Sequence, residues 1–255
     1  MERIISAIEK ECPMSLAYSW DNVGLLVGSR THKAKKVLIT LDVNKNSIDR
    51  AIECGADVIV SHHPAIFSSL KQITDENAPD IIRLIENKIS VYSAHTNMDN
   101  AKNGINARLA KLFGLSDAEI IDPCEADPSC GLGRVGKLAE SVDFSQLCDM
   151  VKEKLSTPCV RVIGPEIAKI DRIAVLGGSC SEFIPRAAKM GAQVIITGDM
   201  KYHDSLDLSY AGITVIDAGH FPTENLVKDI FKDILQSIDG LEIEICEEKD
   251  VFRFV

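Results

Sequence analysis

Short β-branched runs alternate with amphipathic stretches along the 255 positions of the chain. KVLITLD (36–42), DVIVS (57–61), residues 89–93, DRIAVL (171–176), QVIIT (193–197) and ITVID (213–217) are nearly continuous in apolar character, the pattern of strands covered on both faces. Between them the spacing predicts helices over 45–54, 78–88, 181–190 and 223–238. The last is the clearest: Leu226, Val227, Ile230, Phe231, Ile234, Leu235 and Ile238 form one stripe, Gly240 follows as a stop, and Glu224 falls in the first turn. Strand and helix in regular alternation predict parallel βαβ units and an α/β fold.

The pattern also repeats. Residues 37–63 match residues 173–199 at a constant offset of 136, with Ile48 meeting Ile184, Ala51 meeting Ala187 and VIVS (58–61) meeting VIIT (194–197). A weaker match with one gap sets SVYSAHTNMD (90–99) beside TVIDAGHFPTE (214–224), so that His95-x3-Asp99 answers His220-x3-Glu224. A strand–helix–strand unit written twice predicts two similar α/β domains with mainly parallel sheets. We expect them at 1–125 and 126–255, with the C-terminal segment able to pack on the N-terminal lobe.

Ligand sites of parallel α/β sheets lie beyond the carboxyl ends of the strands, and there the chain places His62, His63, His95 and His220. Pro64 ends the ladder after His62 and His63, so both imidazoles can leave the sheet in a turn. With His203, Asp99 and Glu224 these residues supply nitrogen and oxygen donors for two metal ions between the domains. The residues alone leave open which histidine stays outside the first shell. Each also has a plainer reading: Asp99 would cap the helix-like stretch NAKNGINARLAKLFG, Glu224 would complement a helix dipole, and His32, in a polar loop, would face solvent. Trp20 reads as a packing anchor, or as a residue facing the cavity. Arg134, in GLGRVGKL, would meet a substrate anion or a neighbouring subunit. Gly177-Gly178-Ser179, between a strand and a helix, is a weak phosphate-loop candidate.

Composition narrows the function class. A content of 45% apolar and 26% charged residues is ordinary globular usage. The formal charge of −10, with no basic run, argues against direct nucleic-acid binding, which draws its affinity from lysine and arginine. No segment approaches the ~20 apolar residues that span a bilayer, and MERIISAIEKEC alternates charged and apolar residues unlike a secretory signal. A cytoplasmic protein without membrane contact is expected. Eight scattered cysteines with no C-x-x-C pair read as reduced, mostly buried thiols.

SWDNVGLLVG (19–28), ADVIVSHHPAIF (56–67), SAHTNMDNAKNGINARLA (93–110), GLGRVGKL (131–138), ITGDMKYHD (196–204) and DAGHFPTE (217–224) together resemble the NIF three-like family, whose members bear the name GTP cyclohydrolase 1 type 2 homologue. The resemblance implies two α/β domains meeting at a dinuclear metal centre and a toroidal homohexamer. It implies the compact form, because the stretch from about 125 to 170 has no room for the large domain that some members insert. It assigns the metal ligands to His62, His63, Asp99, His220 and Glu224, with Asp99 bridging, and leaves His95 and His203 for substrate contact or proton transfer.

Imidazole and carboxylate donors without thiolate suit two divalent ions of zinc, iron, manganese, cobalt or nickel. Such a pair acidifies water and polarises a substrate atom, so hydrolysis is the expected reaction class. The expected partner is a small polar substrate, GTP by the family name, with hydrolysis of a cyclic amidine C–N bond. The alternative is a non-catalytic metal carrier or insertase, or a protein-interaction adaptor linked to regulation.

Overall fold

All six apolar runs form strands in the computed structural model, which describes residues 1–255. The chain runs through α1 (Glu2–Glu11), β1 (Gly24–Val27), β2 (Lys36–Thr40), α2 (Lys45–Cys54), β3 (Val58–Ser61), α3 (Pro79–Glu86), β4 (Ser90–Ser93) and a short α4 (Thr96–Asn100). It continues with α5 (Ile105–Leu112), β5 (Ser116–Pro123), β6 (Gly131–Val142), α6 (Phe144–Leu155), β7 (Arg161–Ile163), β8 (Ile170–Ser179), α7 (Ile184–Lys189), β9 (Val194–Gly198), α8 (Tyr202–Tyr210), β10 (Thr214–Asp217) and α9 (His220–Glu224). It ends with α10 (Val227–Leu235) and β11 (Glu242–Ile245).

The chain divides into two compact units. One comprises Met1–Ala101 with Val227–Lys249, the other Lys102–Leu226 with Asp250–Val255. The division falls at 101/102 instead of the expected 125/126. The reason is that α5 packs on β6 and β8 while β5 pairs with β6, so residues 105–123 join the second sheet. The C-terminal α10 and β11 complete the first unit, where β11 runs parallel to β2.

The first unit holds a five-stranded sheet in the order β1-β4-β3-β2-β11, parallel except for β1. Leu38, Ile59 and Val91 meet Ile48 and Ala51 of α2 and Ile81 and Leu84 of α3. Burying each of these large side chains contributes about 1.5–3 kcal/mol. Strand neighbours point the opposite way, to the face where α10 packs on β2 and α1 packs on α10. Helix α2 starts where Asn44 accepts hydrogen bonds from the amides of Asn46 and Ser47 while Ser47 Oγ accepts from Asn44 N, a reciprocal cap worth about 1 kcal/mol.

The second unit holds a six-stranded sheet, β5-β6-β8-β9-β10-β7, with parallel β8, β9 and β10 and antiparallel neighbours on both sides. Its core gathers Ile121, Val135, Ala174, Leu176, Ile184, Ile195 and Val215. The glycine-rich GLGRVGKL segment is strand: it lies within β6 and pairs on both sides. Arg134 there is buried and donates from Nη1 to the carbonyls of Gly131 and Gly133, so it is a structural residue and offers no grip on an anion.

The internal repeat is written into the hydrogen-bond register. Val37, Leu38 and Ile39 face Val58, Ile59 and Val60 between β2 and β3. Ile173, Ala174 and Val175 face Val194, Ile195 and Ile196 between β8 and β9, every residue 136 positions after its counterpart. The third strand of each set, β4 or β10, is followed by a five-residue helix, α4 or α9. All eight cysteines are free thiols. No helix is long and apolar enough to cross a membrane.

Candidate metal centre

In the first unit the carboxyl ends of three neighbouring parallel strands converge on one cluster. His62 and His63 follow β3, His95 follows β4, and Asp42 follows β2. The His62 and His63 rings lie 5.0 Å apart, and His95 stands roughly perpendicular to them at 5.1 and 5.6 Å. A ring nitrogen of each lies within 4.8 Å of one on the other two.

The tautomers follow from the partners. His62 Nδ1 donates to the Ala94 carbonyl at 2.9 Å, His63 Nδ1 to Asp42 at 2.7 Å, and His95 Nδ1 to Asp21 at 2.9 Å. Carbonyl and carboxylate oxygens only accept, so each proton sits on Nδ1 and the lone pair on Nε2. That is the arrangement of metal-ligating histidines, whose outer nitrogen is fixed by a carboxylate or carbonyl. His95 thus has the same support as His62 and His63 and belongs to their cluster.

Asp99 does not cap a helix. It lies inside α4, whose N-cap position is taken by His95, while α5 begins only at Ile105. Every residue of α4 is buried, although four of the five are polar. Asn97 donates to the Cys12 carbonyl and Asn100 to the Leu16 carbonyl, both at 2.8 Å, and the Thr96 hydroxyl donates to Asp21 at 2.6 Å. These anchors aim Asp99 at His62, with Oδ1 3.7 Å from Nε2. For Asp21 itself burial disfavours the charge, but hydrogen bonds from His95 and Thr96 outweigh it and hold the carboxyl at about 2, below its ordinary 3.8.

One support comes from a place the sequence did not mark, and one from the tryptophan it did. The partly buried Glu248 carboxylate accepts from the amides of Leu41 and Asp42 at 2.8 and 3.1 Å and pairs with Lys228 Nζ at 3.4 Å, which fixes the turn carrying Asp42. Trp20 is not a packing anchor: it is 60% exposed and stands edge-on to His95 at 6.2 Å.

The second unit carries a cluster of its own at the ends of β10 and β9. His220 Nε2 lies 2.8 Å from Glu224 Oε2, and its Nδ1 donates to Asp199 at 2.8 Å. Asp217 fixes the turn between β10 and α9 by accepting from Gly219 N and Met200 N at 3.0 Å, and it pairs with Arg161. Glu224 ends the separate α9 and does not belong to the first turn of the long helix, which begins at Val227. Gly178 presses against this pair: a Cβ there would fall 2.0 Å from Glu224 Oε1, and its φ of +66° is the left-handed region.

The phosphate-loop expectation fails at the same place. Gly177-Gly178-Ser179 is the end of β8, and its amides are committed, Gly177 N to Asn106 Oδ1 and Gly178 N to Thr223 Oγ1, both at 3.0 Å. His203 lies exposed on the first turn of α8, its ring 5.4 Å from Tyr202. His32 is exposed as expected. Asp42 and Asp199 had a signal available, Asp42 as the last residue of the strand-like run 36–42 and Asp199 two residues past the run 193–197.

Comparison with known proteins places these features. The family model described as Duf34/NIF3 (NGG1p interacting factor 3) matches residues 1–250. The GTP cyclohydrolase 1 type 2 homolog of Clostridium perfringens is 36% identical across 99% of this chain and 98% of its own, and that of Clostridium acetobutylicum is 40% identical across 87% and 84%. A Bacillus cereus protein related to NIF3 has a crystal structure that superposes with a TM-score of 0.91 at 26% identity, covering 99% of this chain and 98% of that one.

Proposed function

Since the chain belongs to the Duf34/NIF3 family, we propose that it is a metal-dependent hydrolase acting on a nucleotide or a similar small polar molecule. In this reading His62, His63, Asp99, His220 and Glu224 hold two divalent ions, drawn from zinc, iron, manganese, cobalt or nickel. The observation that carries it is the shared construction of the strand ends: His63 and His220 both donate from Nδ1 to a carboxylate one strand away, Asp42 and Asp199. Each unit supplies imidazole and carboxylate together, the donor set such ions take. The name borne by the two clostridial relatives makes hydrolytic opening of the GTP imidazole ring the first reaction to test.

Bound divalent ions supply Lewis acidity toward water and toward the C–N bond under attack. The chain supplies the geometry. Asp42 and Asp199 hold their imidazoles in one tautomer and one orientation. Asp21 does the same for His95, whose Nε2 lone pair takes a proton from the attacking water and passes it to the departing nitrogen, with His203 as the second candidate for substrate contact. A ring-shaped homohexamer belongs to the same proposal, and analytical ultracentrifugation tests it.

The decisive assay follows formate release from GTP by metal-replete protein beside a His63→Ala variant. The expected result is turnover that the variant loses, and equal rates would overturn the assignment. Tight metal binding without nucleotide turnover, with transfer of metal to an apo-acceptor, would instead make the protein a metal carrier.

A further inference from the structure

The only tryptophan of the chain is among its exposed residues. Trp20 is 60% and Phe67 59% exposed, a costly placement for large aromatic rings unless something covers them in use. Tyr18 stacks on Trp20, with centroids 5.8 Å apart and planes 13° from parallel, and Phe67 tilts against the same indole at 6.1 Å. Both Trp20 and Phe67 present their rings edge-on to His95, at 6.2 and 6.5 Å.

This shelf is fixed by hydrogen bonds at both ends. The Tyr18 amide donates to Thr96 Oγ1 at 3.0 Å. The Asn22 side-chain amide donates to the Ile66 carbonyl, which ties the segment bearing Trp20 to the segment bearing Phe67. Asp21, between Trp20 and Asn22, holds His95. Three consecutive residues thus form a ring face, an imidazole support and a clamp.

We propose that Tyr18, Trp20 and Phe67 form the stacking subsite for a flat aromatic heterocycle, which the shelf lays beside His95. The proposal rests on the reading that the histidine cluster acts on a small substrate, and it names the chemical class of that substrate. A flat ring on Trp20 keeps its polar edge in reach of the imidazoles, whereas an aliphatic or purely sugar ligand has no π face to offer the indole. Stacking of this kind accepts any nucleobase, because every base has a π face.

Because Trp20 is the sole tryptophan, its fluorescence reports the shelf directly. Metal-loaded protein is titrated with guanosine, with adenosine, and with ribose as the control that lacks a ring system. Saturable quenching by both nucleosides and none by ribose is expected. By calorimetry, Trp20→Ala and Phe67→Ala should weaken guanosine binding by roughly 5- to 150-fold, with Trp20→Phe recovering most of the loss. Equal quenching by ribose, unchanged affinity in Trp20→Ala, or quenching that follows protein concentration without ligand, as a contact between copies would give, each overturns the proposal. Guanosine stacking without GTP turnover keeps the shelf and removes the hydrolase. GTP turnover with a KM indifferent to Trp20→Ala keeps the hydrolase and removes the shelf.

Discussion

The Asp42 carboxylate accepts a hydrogen bond from Nδ1 of His63 at 2.7 Å. Removing it frees the ring to rotate and to hold its proton on either nitrogen. Asp42→Ala should therefore weaken divalent-metal binding by about 10- to 100-fold, measured by competition with a chromogenic chelator. Asp42→Asn, which still accepts through its amide oxygen, should lose less. Asp42 is half exposed, so neither change should alter the far-ultraviolet circular dichroism.

Glu248 acts one step further back, through the backbone of Leu41 and Asp42. Glu248→Ala leaves Lys228 buried without its carboxylate and two amides without acceptors, and should cost about 3–5 kcal/mol in urea unfolding. Replacing both partners with apolar residues should restore much of that stability. The metal affinity should stay low in the double variant, because the turn carrying Asp42 remains unclamped.

Gly178→Ala separates steric from conformational cost. The new methyl would meet Glu224 Oε1 at 2.0 Å, whereas Gly212→Ala, at a similar φ of +70°, meets nothing within 4 Å. The Gly212 variant should lose about 1 kcal/mol of stability, from backbone conformation alone. The Gly178 variant should lose more, and it alone should also lose metal affinity, read by the same chelator competition.

Asp21 predicts a pH dependence. Its carboxyl titrates lower in the folded protein, at about 2 against 3.8, so the unfolded chain binds the proton first as pH falls. The stabilisation is fully present above about pH 4 and is lost as pH falls toward about 2. In chelator-treated protein the stability gap between wild type and Asp21→Asn should be about 2 kcal/mol near neutrality and should shrink across that window. A gap independent of pH would mean that the Asp21 charge is not the source.

Strands and long helices were legible because their signal is local. The runs at 36–42, 57–61 and 193–197 are apolar without interruption, and burial on both faces of a parallel sheet demands that. The repeat was legible too, and the identical register of β2–β3 and β8–β9 explains why an offset of 136 runs through it without a gap. The short helices were not. Their turns are held by tertiary hydrogen bonds, Asn97 to Cys12 and Gly178 to Thr223, which no periodicity announces. The predicted helix 223–238 merged two elements for that reason. The histidines stood out by their place at strand ends. The carboxylates that orient them were harder to see, because an aspartate after a strand is common in turns and acquires its role only from the imidazole that folding brings against it.

The path of the chain also orders its birth on the ribosome. All six strands of the second sheet have been made once Asp217 is synthesised, whereas the first sheet must wait for Ile245 to cover the open edge of β2. The sheet that carries His62, His63 and His95 at its strand ends is thus begun first and finished last. Until β11 arrives, the nascent chain exposes an apolar strand edge that a chaperone would recognise.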